Sequence, residues 1–166
     1  MKLYLMRHGP AEDKSPSGQD SDRSLSPSGR SRVRSVAKAL VEFGEEPLVI
    51  VTSQLVRAVQ TAEIVAVATK LSERDGAVEV HREMAPGGEA FDLARSLARD
   101  GRKRVMLVGH EPDLSALVSA LLGDFGEPFE KAMVVGVQLS SGGAARLRFV
   151  LDPKTLHLDP DARDHA

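Results

Sequence analysis

Short apolar runs alternate with helix-spaced stretches along this chain. Leu3-Tyr4-Leu5-Met6 reads as a first strand, residues 48 to 52 as a second, and Val78-Glu79-Val80 as a short third. A fourth strand covers 104 to 108. Two more, 133 to 139 and 145 to 151, flank Ser140-Ser141-Gly142-Gly143, whose composition is that of a hairpin turn. Between the strands the period changes. Ser26-Pro27 predicts an N-cap with proline in the first helical turn, and Val33, Val36, Ala37, Leu40 and Val41 form one apolar face ending near Gly44. A second helix, from about Leu55 to Leu71, is rich in Ala and Val on most faces and is expected to be well buried. Leu93, Ala94, Leu97 and Ala98 mark a third helix over 89 to 99, after the turn Pro86-Gly87-Gly88. Leu114, Leu117, Val118, Leu121 and Leu122 mark a fourth after Pro112.

Residues 9 to 25, rich in Ser, Asp, Gly and Pro, read as a loop, and the polar stretch from about Asp159 as a frayed tail. The pattern predicts one α/β domain over 1–158 with a tail over 159–166. Its architecture is a three-layer α/β/α with a mostly parallel, mixed central sheet and an antiparallel hairpin near its end.

Composition narrows the function. The 166 residues are 28% charged and 42% hydrophobic, ordinary usage for a globular domain. A formal net charge of −2 gives no global field to recruit nucleic acid or an anionic membrane, and the few aromatics do not interleave with basic residues. With no cysteine, disulfides and thiolate metal sites are excluded. The apolar run before Arg7 is too short for a signal-peptide core or a membrane span. The expected compartment is the cytoplasm, with no nucleic-acid or membrane partner.

The chemistry sits where strands end. The first strand stops at Arg7-His8-Gly9, the fourth at Gly109-His110, and the second leads through Thr52-Ser53 to Arg57. Ligands of open α/β sheets bind at those carboxyl ends. Two arginines offer planar forks that grip phosphoryl oxygens and stay charged at any working pH. Like charges beside His8 disfavour its imidazolium, and only a neutral imidazole attacks phosphorus. His110 is placed to donate to phosphoryl oxygens, most strongly when protonated.

These residues carry a resemblance. Leu5-Met6-Arg7-His8-Gly9-Pro10-Ala11 resembles the LMRHGxA opening of the histidine phosphatase superfamily, which has the phosphoglycerate mutase-like fold. Arg57-Ala58-Val59-Gln60-Thr61-Ala62 is similar to its RAxQTA segment, and Val108-Gly109-His110-Glu111-Pro112 to VGHNP. Arg23-Ser24-Leu25-Ser26, like RPLT, together with Pro86-Gly87, Leu151-Asp152-Pro153 and the small size, points to the SixA-type branch, named for protein phosphohistidine phosphatases. The resemblance implies that His8 is the nucleophile that becomes phosphorylated. It implies that Arg7, Arg57 and His110 complete the phosphate pocket, and that no metal or other cofactor takes part. The implied substrate is phosphohistidine on a protein, such as a phosphorelay component. The alternatives are a small phosphorylated metabolite or, for an idle pocket, simple phosphoprotein binding.

The chain departs from the family at Gln54 and Ser24, which stand where proline is usual, and at Glu111, which replaces asparagine. It lacks the inserted segment that bears a general acid in larger members. Three further residues are candidates for an acid or the pocket rim. Glu83 follows the third strand, where family members often hold an acid, and reads equally as a solvated charge. Glu111 reads rather as a carboxylate favoured at a helix N-terminus. Arg23, with Asp22, either reaches the rim or makes a loop salt bridge. His81, His157 and His165 read as surface residues without partners.

Overall fold

The computed structural model describes residues 1–160. Seven strands form one sheet: β1 (Lys2–Arg7), β2 (Val49–Thr52), β3 (Ala77–Val80), β4 (Arg104–Gly109), β5 (Val134–Leu139), β6 (Ala145–Leu151) and β7 (Leu158–Asp159), in the order β3-β2-β4-β1-β5-β6-β7. The first four of that order run parallel, and β5, β6 and β7 continue antiparallel. Four helices cover it: α1 (Pro27–Glu42), α2 (Val56–Ala68), α3 (Ala90–Arg99) and α4 (Asp113–Leu122).

Alternation along the strands builds the three layers. Tyr4 and Met6 of β1, with Ile50 and Met106, pack on one face against α1 and α2. Leu3 and Leu5, with Val51, Val105 and Leu107, pack on the other against α3 and α4. The strands are therefore apolar on both sides, as the unbroken runs in the sequence required. At the sheet end away from the strand carboxyl termini, Glu45 gathers the Tyr4 hydroxyl at 2.8 Å, Lys2 at 3.4 Å and the Arg148 guanidinium. Hydrogen bonds from Arg148 and Tyr4 outweigh the effect of burial and hold the Glu45 carboxyl below its usual range. No described helix is long and apolar enough to cross a membrane.

Two expectations need correcting. The second helix stops at Ala68, and a separate one-turn 3-10 helix, Leu71–Arg74, follows Lys70 in the left-handed region at φ 50°. Nor is that helix buried on most faces: Ala58, Ala62 and Val65 face the sheet, whereas Val67 is 81% exposed. Apolar composition marks a helix as suited to burial, but this one packs on a single side. Asp159, the expected start of the tail, belongs instead to the sheet. Leu158 and Asp159 pair with Leu151 and Val150 as β7, because the sheet's edge offers unpaired backbone groups to the returning chain. Residues 161–166, including His165, lie outside the described residues.

Helix α1 begins as the sequence indicated, with the Ser26 hydroxyl accepting from the Gly29 amide at 3.0 Å. The Ser26 amide also donates to the Pro10 carbonyl at 3.0 Å, which docks the helix start on the chain leaving β1. The contact is so close that a β-carbon on Gly29 would lie 1.9 Å from the Pro10 carbonyl oxygen. An exposed helical Gly→Ala change normally stabilises by about 1 kcal/mol. Here the sign reverses. Gly29→Ala is expected to destabilise the domain by roughly 1–3 kcal/mol, since backbone must move apart. A lowered urea midpoint with unchanged slope checks this, and a variant as stable as the parent would contradict the close docking.

Candidate active site

The register of β1 against β4 assembles the site. Arg7 lies opposite Gly109, and Val108 is level with both Met6 and Thr52. His8, His110 and Ser53 therefore all fall one step beyond their strands' paired ends, at the carboxyl edge of the sheet. The two imidazole rings stand 5.2 Å apart between centroids. Arg57 enters from the second residue of α2, and its Nε reaches His8 Nε2 at 3.3 Å. Arg7 anchors one guanidinium nitrogen on the Phe129 carbonyl at 2.7 Å, leaving its buried Nε without a partner. The four residues singled out in the sequence thus converge on one place.

His8 is oriented at both nitrogens. Its Nδ1 lies 2.7 Å from the Gly9 carbonyl oxygen, which can only accept, so Nδ1 carries the proton and Nε2 the lone pair. The ring is 6% exposed. Burial pushes His8 down to about 3 against the Gly9 bond, the next largest effect, which favours the charged ring; the charges of His110, Arg57 and Arg7 each lower it further. The expected depression is therefore present, but its main cause is desolvation rather than the arginines.

His110 is handled differently. Its Nε2 lies 2.7 Å from the Ser53 hydroxyl, and Ser53 also accepts from the Leu55 amide at 3.4 Å. In the tautomer in which the Ser53 hydroxyl donates to His110 Nε2, the ring's own proton is on Nδ1. Nδ1 is the buried atom left without a partner, ready to donate to an incoming oxyanion. Burial, followed by the Arg57 charge, lowers His110 to about 4, so near neutral pH it donates as a neutral ring, not in the protonated form that would donate most strongly.

Residues inside the apparent motif turn out to brace the site. The Thr61 hydroxyl accepts from the Gly9 amide at 3.1 Å and donates to the Arg57 carbonyl at 2.8 Å, tying the His8 loop to the helix that carries Arg57. Gln60 Oε1 accepts from the Leu25 amide at 2.8 Å. Neither residue, nor Ser53, stood out from spacing alone, because each acts on a segment distant in sequence.

The outlying candidates separate. Glu111 accepts from the Ser115 amide at 3.0 Å and the Ser115 hydroxyl at 2.6 Å, so it serves the first turn of α4 as its position suggested. Glu83 sits in the one-turn helix Arg82–Met84 with its carboxylate 3.9 Å from His81 Nδ1, outside the His8 cluster. His81 is half-buried and paired with Glu79 at 3.1 Å, which corrects the expectation of a partnerless surface residue; β3 directs Glu79 and its close neighbour His81 to the same side. His157 is exposed. Arg23 makes a loop salt bridge, but to Asp20 rather than Asp22. Asp20 also bridges to Arg57 Nη2 at 3.1 Å, so Arg23 stands one carboxylate away from the pocket.

Two guanidinium groups and two buried imidazoles, one presenting a nitrogen lone pair, are groups that can hold an oxyanion and offer it a nucleophile. Comparison with known proteins agrees. Residues 3–87 match the model of the histidine phosphatase superfamily, branch 1. An uncharacterised protein of Picosynechococcus is 36% identical over 154 residues, 89% of each chain. The structure of the protein histidine phosphatase SixA complexed with tungstate superposes with a TM-score of 0.85 at 27% identity, covering 95% of this chain and 100% of that one. A mycobacterial glucosyl-3-phosphoglycerate phosphatase shares the fold at a TM-score of 0.65 and 21% identity, over 88% of this chain and 96% of that one. The chain belongs to the histidine phosphatase superfamily, and it is a phosphatase of the SixA type.

The depressed histidines make stability sensitive to acid. An unfolded histidine takes up its proton near pH 6.5, whereas His8 and His110 resist it down to about 3 and 4. Between those limits the unfolded chain binds more protons than the folded one, so stability is expected to fall as pH falls through that window. Urea titrations across the window check this, and replacing both histidines with Asn should flatten the dependence.

Proposed function

We propose that this protein removes the phosphoryl group from phosphohistidine on a protein, a phosphorelay component being the leading candidate, through a phosphorylated His8. The observation that carries the proposal is the 2.7 Å bond between His8 Nδ1 and the Gly9 carbonyl. It presents an unprotonated Nε2 beside Arg57, the form a nucleophile needs. In the first step the Nε2 lone pair forms a bond to phosphorus while the substrate's P–N bond breaks. The electron pair of that bond stays with the departing imidazole nitrogen. The new phospho-His8 ring carries a positive charge, and the Gly9 carbonyl stabilises it through Nδ1–H. Water then attacks phosphorus, the Nε2–P bond breaks, its electron pair returns to His8, and phosphate takes up the water's proton.

Arg57, Arg7 and neutral His110 are assigned to the transferring oxygens, whose charge grows in the transition state. The choice of phosphohistidine rests on the likeness to the SixA phosphatase and on the carboxylates. Glu111, one candidate acid, is engaged with Ser115, and the carboxylate of the other, Glu83, lies 3.9 Å from His81 Nδ1. An alkoxide needs a proton donor in order to leave. A phosphohistidine ring protonated on its other nitrogen departs neutral without one. The absence of cysteine suits a reducing cytoplasm.

The decisive experiment compares turnover of a phosphohistidine-bearing protein with a panel of small phosphomonoesters, chelator present throughout. Preference for the phosphoprotein is expected, and preference for the monoesters would replace this reading with a metabolite phosphatase. Rapid quench should trap acid-labile phosphate on wild-type His8. His8→Ala should abolish both the trapped phosphate and turnover, and normal turnover by that variant would end the nucleophile assignment.

Arg57→Lys keeps the charge but loses the fork. It is expected to lower kcat by on the order of 10² to 10³, the usual effect of removing one transition-state donor. EDTA should change nothing, since the guanidinium groups already supply the positive charge. Wild-type kinetics in the lysine variant, or a strict need for Mg²⁺, would refute this account of how phosphate is held.

A further inference from the structure

The loop between β1 and α1 places an anion where the substrate's anion belongs. Its one-turn helix, Asp20–Asp22, touches Arg57 twice and in two ways. The Asp20 main-chain carbonyl accepts from Arg57 Nη1 at 2.9 Å, and the Asp20 carboxylate accepts from Nη2 at 3.1 Å. Nε, 3.3 Å from His8, is directed at the nucleophile. A phosphoryl group held by the Nε and Nη2 fork would share Nη2 with the carboxylate or displace it.

That carboxylate is free to give way. Its side chain is 65% exposed, against 6% for Arg57. Beside it opens a cavity of about 340 Å³, also lined by Asp13, Ser15, Gln19 and Arg23. The main-chain bond to Nη1 does not depend on where the carboxylate points, so Arg57 keeps its aim. Arg23 Nε and Nη2, each 2.9 Å from Asp20 Oδ1, keep the displaced group at the rim. The order from the interior outward is His8, Arg57, Asp20. In an in-line displacement the leaving group lies opposite the attacking Nε2 and extends toward solvent, the side to which the Asp20 carboxylate is exposed.

We propose that Asp20 selects the leaving group: its carboxylate occupies Arg57 Nη2 until a phosphoryl oxygen displaces it, and from the rim it favours a leaving group that carries positive charge over one that departs as an anion. This assignment rests on the phosphoryl-transfer reading of the site and extends it. A carboxylate beside the pocket repels every phosphoryl dianion, which weakens binding of all substrates alike. It returns stabilisation only to a substrate with a cationic leaving group, such as a protonated imidazole or ammonia joined to phosphorus. Discrimination by a repulsive element that one substrate class cancels is a general route to specificity. The carboxylate makes no covalent bond and transfers no proton, so the atom balance of the displacement is unchanged.

Asp20→Asn retains the main-chain anchor and removes the charge. The test measures kcat/KM of wild type and variant on a phosphohistidine peptide, on phosphoramidate and on p-nitrophenyl phosphate, with the inhibition constant of inorganic phosphate. The variant is expected to lose about tenfold on both P–N compounds relative to p-nitrophenyl phosphate, the scale of one charged hydrogen bond. Inorganic phosphate should bind it several-fold more tightly. An equal change on all three substrates, or weaker phosphate binding, would reduce Asp20 to a structural brace and overturn the proposal. Wild-type cleavage of phosphoramidate but not of the peptide would end the phosphohistidine-protein reading and leave Asp20's assignment standing. Wild-type failure on both P–N compounds would overturn both.

Discussion

Parallel pairing of β1 with β4 is the constraint on which the site depends. With Arg7 opposite Gly109, the residues that follow each strand, His8 and His110, meet beyond the last ladder bonds. Both strands are buried on both faces, so sliding one by a single residue would exchange the Tyr4–Met6 set with the Leu3–Leu5 set and misfit two cores at once. The meeting of His8 and His110 is thus fixed by the apolar packing of the strands that lead to them. The backbone completes the arrangement: the His8 amide donates to the Gly109 carbonyl at 3.1 Å, and the Ala132 amide donates to the carbonyls of Arg7 and His8.

Charge in the cleft is arranged by burial first and by partners second. Taking His8 and His110 out of water suppresses their cationic forms, which leaves one imidazole with a lone pair and the other with a donor. The arginines stay charged and are steered by oxygen acceptors, Phe129 for Arg7 and Asp20 for Arg57. The buried Arg7 Nε and His110 Nδ1 have no partner in the protein. Buried donors without acceptors are costly, so both atoms favour the arrival of an oxyanion.

Loop and helix contribute through close approach. Gly9 and Gly29 let the chain leaving β1 lie against α1, where a β-carbon would meet Val33 at 2.6 Å or the Pro10 carbonyl. Thr61 and Gln60 then tie that loop to α2, so the helix carrying Arg57 and the turn carrying His8 move as one piece. The outer segment around Asp20 is held by Arg23 and by solvent-facing hydroxyls.

Periodicity and strand-end residues were enough to locate six of the strands, the four helices and the convergence of Arg7, His8, Arg57 and His110, because buried strands must be apolar and a sheet's carboxyl edge is where polar groups collect. The family motifs were equally legible, since each is a run of adjacent residues. What the sequence could not decide lies between distant segments. Ser53 sets the proton on His110, Asp20 occupies Arg57, Arg23 chooses Asp20 over its neighbour Asp22, and β7 pairs with the sheet edge. Likewise, composition marked α2 as apolar, but only the packed layers show that one side of it faces water at Val67. The physical reason is range: hydrophobic pattern is a local property written along the chain, while hydrogen-bond partners, tautomers and exposure are settled by which surfaces the fold brings together.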